Sequence, residues 1–525
     1  MTGTAANTKS TPPCPANTVI HTLTDHQVGY AYIQLPEDTV FLESIAHNDT
    51  FAPRRAFIAV QRCVSVPNDQ TEKRGNVKGG EYDEEGQYEV PDNATEYTFA
   101  DTMRVKETHI YEIRVGQRRA KHICGPLLAP DGSRDMSIFG STLSNTGFMY
   151  MCAFDRNSIL GLNLCKVVAE KEEEEGTSQS TGYNPAETLT RDDWDEEDFP
   201  EQNDIDEKGI EVPLEMTLKP VEPRRPVTCD IEITGVSSPN DVAIDPNHEN
   251  VLYVAGGTMQ RLFCVPFSNA AEGVLYKITL PNKINRKASV TVYGSGMHTL
   301  AGIEVAQDGE LWVAELFDIF RQEKPSKRAI AWKGDDGDGT VWMADNVDTF
   351  DETMLLCPAY STTSEVVINS ILKNAALSSF FLVIVHLFSA ILQRESVRKA
   401  LRDPEVSLSF SNTYIKEGED PKPVRLIFLQ PKSSDENSQV KAYHFEIDLQ
   451  ETRANHAPWD VVDLETGQLK GRRNYFNDQV THAAQLKADD GGSYIVCLNF
   501  EEPRLLVLQD KIFRKIMAQP QLPEF

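Results

Sequence analysis

Basic charge is the first thing this chain has little of. Its 51 Lys and Arg face 80 Asp and Glu, a formal net charge of −29 over 525 residues. Nucleic-acid phosphates would be repelled, so DNA and RNA are excluded as expected partners. Metal-type cysteine spacing is also missing. Nine Cys are present, none in a Cys-x-x-Cys pair, and an odd, scattered set is a poor disulfide framework. Cys124, Cys152, Cys165, Cys264, Cys357 and Cys497 adjoin apolar strand-like runs and read as small buried hydrophobes, with room for one bridge, for example between an N-terminal Cys and Cys497. No Gly-x-Ser-x-Gly elbow, P-loop, His-Glu-x-x-His or dinucleotide fingerprint occurs. Met1 to Asn17 has no apolar core, so it does not read as a secretory signal. Without one, the sequons at Asn48 and Asn93 carry little weight. The expected location is membrane-associated or, failing that, cytoplasmic.

What the chain does have is a repeated grammar. Ser238-Pro239-Asn240-Asp241, Leu300-Ala301-Gly302-Ile303, Ala344-Asp345-Asn346-Val347 and Val480-Thr481-His482-Ala483 are each a small or polar turn entering an apolar strand. A Gly- or Asp-bearing turn and a second strand follow each one, beginning at Val251, Gly309, Thr353 and Gly492. Leu42-Glu43-Ser44-Ile45-Ala46-His47 is a further such start. Irregular repetition of a strand–turn–strand unit is how propeller blades look in sequence. In that fold the leading strands surround one channel, so their first polar residues converge.

The domains expected are a flexible tail (1–28), N-terminal blades (29–166), a disordered acidic insertion between blades (167–226), middle blades (227–363), a hydrophobic helix (364–402) and C-terminal blades (403–525). Residues 65–96 are polar and read as a long excursion. Residues 170–208 hold 16 Asp or Glu against Lys171, Arg191 and Lys208. Such a segment cannot bury enough apolar surface to offset its ordering entropy. Its plain reading is a solvated loop, and its functional one an interaction or phosphorylation segment. Between Lys373 and Arg394 lie twenty uncharged residues, long enough as a helix to span about 30 Å of bilayer. Blade-like sequence on both sides argues against a true span, so a cap or membrane-surface helix is expected, associating through 376–392. Residues 510–517 read as a closing amphipathic helix. Gly334-Asp335-Asp336-Gly337-Asp338-Gly339 lacks the EF-hand register and reads as a hairpin turn.

Pro239-Asn240-Asp241-Val242-Ala243 followed by Leu252-Tyr253-Val254, together with Asp345-Asn346 entering a strand pair, resembles the superfamily of gluconolactonases, serum paraoxonases and strictosidine-synthase-like proteins. The likeness spans about residues 30–165 and 227–515. It implies an all-β six-bladed propeller with one metal, usually calcium, in its channel. Carried over by position, the ligands are Glu43, Asn240, Asp345 and Asn346. Calcium accepts six to eight oxygen donors, carboxylates and Asn amides included. The chain departs from the pattern at Ala301, where the family has a further channel Asn. It departs again near Met136 and Asp155, where paraoxonases carry a histidine dyad. Asp155 could then serve as base, and His47 or His482 could stand in for the dyad. Asn240, Asp241, Asp345 and Asn346 have a plainer reading as turn caps. Glu43 could equally be a turn or edge-strand carboxylate, and Glu304 and Glu315 read as surface residues.

The function expected is hydrolysis of a small-molecule lactone or ester. A central Ca²⁺ on Glu43, Asn240, Asp345 and Asn346 polarises the carbonyl, with Asp155 or His482 as base. The alternatives are a metal-free strictosidine-synthase-like propeller and a non-catalytic membrane-surface scaffold.

Overall fold

The computed structural model describes residues 20–36, 39–67, 102–134, 136–167, 226–257, 273–281, 287–297, 300–315, 318–325, 327–333, 342–351, 354–361, 423–430, 440–449, 459–462, 469–473, 480–499 and 503–519. The stretch 364–402, the loop 334–339 and nearly all of 167–226 lie outside them. Among the described residues no helix is long and apolar enough to cross a membrane.

Six antiparallel sheets stand around one axis. From the channel outward, blade 1 runs Ile45–His47, Ala56–Pro67, Thr102–Ile113, Lys121–Cys124, with Thr39–Phe41 prolonging its inner edge. Blade 2 is Ile138–Leu143, Phe148–Ala153, Ser158–Asn163, Ile231–Thr234. Blade 3 is Pro239–Ile244, Val251–Gly256, Gly273–Thr279, Ser289–Met297, and blade 4 is Leu300–Val305, Leu311–Glu315, Asp318–Lys324, Lys327–Lys333. Blade 5 begins with Trp342–Ala344 and Asp348–Phe350, then Met354–Ser361, Val424–Gln430 and Lys441–Asp448. Blade 6 takes Val480–Lys487, Ser493–Asn499 and Arg504–Gln509 from the end of the chain and its outer strand, Tyr30–Gln34, from the beginning. That shared blade closes the ring by fastening two distant parts of the chain together.

The core explains why the strands are apolar on both faces. There are six apolar clusters, one at each interface between neighbouring blades, including that between blades 6 and 1. Side chains alternate across a strand. Thus Met149 and Met151 pack toward blade 1, while Tyr150 and Cys152 pack toward blade 3. At about 25 cal/mol per Å² of apolar surface, this two-sided burial is the main stabilising term. Cys124, Cys152, Cys357 and Cys497 are buried, as expected of small hydrophobes, and so is Cys229, whereas Cys165 is half-buried.

Four expectations about organisation change. Ile20–Thr24 is a strand rather than tail; it pairs in parallel with the outer strand of blade 5, and a capped turn of helix, Asp25–Val28, follows. The hairpin of blade 1 is longer than expected, its pairing running to Pro67 and Thr102. The acidic stretch does not separate blades: it leaves after the third strand of blade 2 and precedes that blade's own outer strand, Ile231–Thr234. Likewise 362–422 connects two paired strands of blade 5, with Ala359 opposite Arg425. The chain therefore departs and returns at one end of that pair. Lys511–Met517 is helical, as expected, and seats Phe513 against Phe428 and Phe445.

Candidate functional site

Every inner strand carries one residue more than its partner at the same level. In blade 3, Pro239 and Asp241 face Gly256 and Ala255, so Asn240 is the extra residue. In blade 4, Leu300 and Gly302 face Glu315 and Ala314, leaving Ala301 over. In blade 6 the extra residue is Thr481, between Val480 opposite Asn499 and His482 opposite Leu498. Ile138 and Ser141 of blade 2 face Ala153 and Met151, with the bulge at Phe139-Gly140. The extra residue falls between Phe41 and Ile45 in blade 1 and between Ala344 and Asp348 in blade 5. A bulge bends the strand and re-aims one side chain. Six bulges at one level of the channel thus make a ring of re-aimed residues at its mouth.

Three of those residues present oxygens with no partner. Glu43 Oε2, Asn240 Oδ1 and Asn346 Oδ1 are buried and hydrogen-bonded to nothing. They come from blades 1, 3 and 5. Asn346 donates from Nδ2 to the Glu43 carbonyl at 3.0 Å, which fixes the amide so that Oδ1 is the free atom. Its backbone N–H donates to the Thr481 carbonyl at 3.1 Å. A buried polar atom without a partner costs about 1–3 kcal/mol, so three in one place call for a ligand. Asp345, buried beside them, sees Glu43 electrostatically. Glu43, Asp345 and Asn346 are thus neighbours, and Asn240 adds an orphan oxygen from blade 3. Among the described residues no group of three His, Cys, Asp or Glu is arranged to hold a metal ion. Two of the three orphan oxygens here belong to Asn.

Small residues let the blades approach this closely. A Cβ on Gly302 would lie 2.6 Å from Asn346 Cα and 2.7 Å from Val347 N. One on Gly140 would lie 2.2 Å from Asp241 Oδ1. Ser238, at φ 40°, makes a left-handed turn immediately before Pro239 and Asn240, its N–H held by Asn157 Oδ1 at 2.7 Å.

The electrostatics are lopsided. Burial, then the charges of Asp345 and Asp241, push the Glu43 carboxyl well above its ordinary range. Burial and Asp241 do the same to Asp345. Asp241 is raised by burial to about 7, although Ile303 and Val242 N–H groups each donate to it at 2.9 Å. Burial is the first cause in all three, and neighbouring carboxylates add to it.

One layer deeper the arrangement is different. Asp348 accepts from His47 Nε2 at 2.9 Å, and His482 Nε2 stands 3.5 Å from the same oxygen. Burial opposes the Asp348 charge, but the two histidines outweigh it and hold that carboxyl well below its ordinary range. Burial pulls the His47 imidazole down, and Asp348 more than restores it. His482 Nδ1 accepts from the Ile45 N–H at 3.0 Å, so its proton sits on Nε2, toward Asp348. Glu304, half-buried on the channel wall, is raised by burial and by Asp348 and Asp241.

Several site expectations are corrected accordingly. His482 lies in the channel, with Nδ1 taken by the Ile45 N–H and Nε2 3.5 Å from Asp348. Asp155 is not in the cluster; it is exposed on the turn Phe154–Arg156 between the second and third strands of blade 2. Glu304 and Glu315 are not surface residues, for Glu315 is 4% exposed and paired with Arg328 at 2.8 Å. Sequence reading missed Asp348 altogether. Its only signal was the three-residue spacing from Asp345 on one leading strand.

No protein-family model matches the chain, and no curated protein matches it. Solved structures similar to it include virginiamycin B lyase from Staphylococcus aureus bound to quinupristin, at 10% identity over 91% of this chain and 98% of that one, TM-score 0.33. A structural-genomics target inferred to be a gluconolactonase matches at 7% identity over 92% of each chain, TM-score 0.35. Hydrazine synthase from Kuenenia stuttgartiensis matches at 9% over 79% and 74%, TM-score 0.31. Likeness at this level says nothing about chemistry, and the propeller assignment rests on the six blades themselves.

Proposed function

We propose that the chain is a lactone or ester hydrolase whose channel mouth holds a calcium ion on Glu43, Asn240, Asp345 and Asn346. The observation that carries this is the set of three orphan buried oxygens from three blades, beside two carboxyls raised by burial and by neighbouring carboxylates. Hard oxygen donors of mixed carboxylate and amide type suit calcium. Bound there, the ion would supply Lewis acidity toward a carbonyl oxygen and charge to offset an oxyanion. The chain's own groups do the positioning. The Glu43 carbonyl and Thr481 carbonyl hold Asn346, and Gly302 allows the Asp345-Asn346 segment its approach.

Elemental analysis and calcium titration, joined to a panel of lactones and aryl esters, test the assignment. Stoichiometric calcium and hydrolysis lost in chelator are expected; hydrolysis surviving full chelation overturns the metal's role. One observation favours a metal-free propeller: Ala301 gives blade 4 no oxygen to offer at the ring. The same chelation experiment separates the two. Membrane association through 376–392 is a separate reading carried by the uncharged run; sedimentation with liposomes, abolished on deleting those residues, is its test.

A further inference from the structure

Blade 6 places no orphan oxygen at its bulge, yet it ties together two segments that do. Thr481, its spare residue, turns Oγ1 toward the Leu498 carbonyl of its own sheet, 3.5 Å away. What reaches across to other blades is its backbone and its successor. The Thr481 carbonyl accepts the Asn346 N–H of blade 5 at 3.1 Å. His482 Nδ1 accepts the Ile45 N–H of blade 1 at 3.0 Å, in a buried bond between residues 437 apart in sequence. Asn346 Nδ2 donates to the Glu43 carbonyl at 3.0 Å and closes a circuit through blades 5, 6 and 1.

A similar device stands across the channel. Asp241 follows the spare residue of blade 3, and its Oδ2 accepts the Ile303 N–H of blade 4 at 2.9 Å. Ile303 lies two residues after Ala301, as Ile45 lies two after Glu43. In both blades, then, the residue after the spare one captures a backbone N–H of the next blade round the ring. In blade 4 that residue is Gly302, which has no side chain to do so. We propose that His482 is a positioning residue for the calcium site: its Nδ1 lone pair fixes the Glu43 segment against Asn346 and so sets the spacing of two ligands from different blades. The inference rests on the calcium reading above. What it requires of residue 482 is an acceptor on the atom bonded to Cγ. Asn supplies one there as Oδ1, whereas Gln carries its oxygen one bond further out, at the reach of Nε2.

The test compares His482→Asn with His482→Gln in the full chain, stripped of metal by chelator and titrated with calcium by calorimetry. His482→Asn should bind calcium within about threefold of the unsubstituted protein, and His482→Gln about 10- to 100-fold more weakly, the usual worth of a group that orients a metal ligand. Hydrogen exchange at the Ile45 amide, followed without calcium, reads the bond itself. The amide should stay protected in His482→Asn and open in His482→Gln. Both variants lose the imidazole beside Asp348, so melting curves accompany the titrations. A merely structural role predicts affinity that tracks melting temperature and draws no line between a δ and an ε acceptor. Should both variants prove unfolded, the unsubstituted protein carries the test. Saturating calcium should slow exchange at Ile45, because a bond that favours binding is favoured by it in return; unchanged exchange overturns the positioning role. Equal affinity in the two variants, high or low, also overturns it and leaves the calcium site standing. No calcium uptake by the unsubstituted protein removes the calcium reading and the positioning role together.

Discussion

The channel has two layers built from the same strand starts, and they have opposite chemistry. Glu43 and Asp345 belong to the upper layer, His47 and Asp348 to the lower, only four and three residues further along the same two segments. Below, the carboxylate has two imidazoles against it and is strongly ionised. Above, carboxyls face one another and three oxygens have no partner. The lower layer pairs opposite charges across three blades and so serves stability. The upper layer keeps three buried oxygens without a hydrogen bond, the feature on which the calcium proposal rests.

Asp348→Ala should break the contrast most severely. It strands two imidazoles in the channel, and loss of one partner from a buried pair costs about 3–5 kcal/mol. Urea denaturation would show it, and a loss under 1 kcal/mol would mean that the clasp does not hold the blades. Gly302→Ala should come next, at about 1–3 kcal/mol, because a methyl group cannot fit against Asn346 without moving it. Calcium titration should weaken in parallel; unchanged affinity would show that the displacement never reaches the mouth.

The pH response of the upper carboxyls and that of Asp348 should differ in sign. A carboxyl raised in the fold, such as Glu43, Asp345 or Asp241, takes up protons more readily folded than unfolded. Its contribution is most favourable below about pH 4 and declines as pH rises toward the folded value, about 7 for Asp241. Asp348, depressed in the fold, contributes fully above about pH 4 and is lost as pH falls below it. His47, raised, stabilises below about pH 6.5 and ceases to as pH climbs through its folded value. Calcium-free protein should therefore lose stability between pH 5 and 7.5 and recover part of it with calcium. Calcium uptake should also release protons, seen as buffer-dependent binding enthalpy. No proton release at pH 6.5 would contradict the raised upper carboxyls. The smallest effect on stability is expected for Asn240→Ala. Removing an orphan oxygen should be neutral or mildly stabilising without calcium, yet should weaken calcium binding at least tenfold if Asn240 is a ligand. A loss of more than 1 kcal/mol without calcium would instead reveal a structural partner.

The same two layers show what a sequence can and cannot disclose. Blade starts were legible because a polar turn before an apolar strand is local, and Asn240, Asp345 and Asn346 stand in such turns. The lower clasp was not, since His47, Asp348 and His482 meet only through the register of three blades. Glu304 and Glu315 look like surface residues in an alternating strand, and only ring closure puts the alternate face inside. Ile231–Thr234 and Ile20–Thr24 are too short to announce their sheets, so the acidic stretch read as a spacer between blades and the N-terminal strand as tail.

The spare residue on each inner strand has a wider consequence. Because it stands outside the ladder, it can be exchanged without shifting the pairing of the blade that bears it. Asparagine, alanine, threonine and phenylalanine already occupy equivalent seats. Selectivity in such a scaffold could be retuned one blade at a time, with the surrounding architecture left untouched.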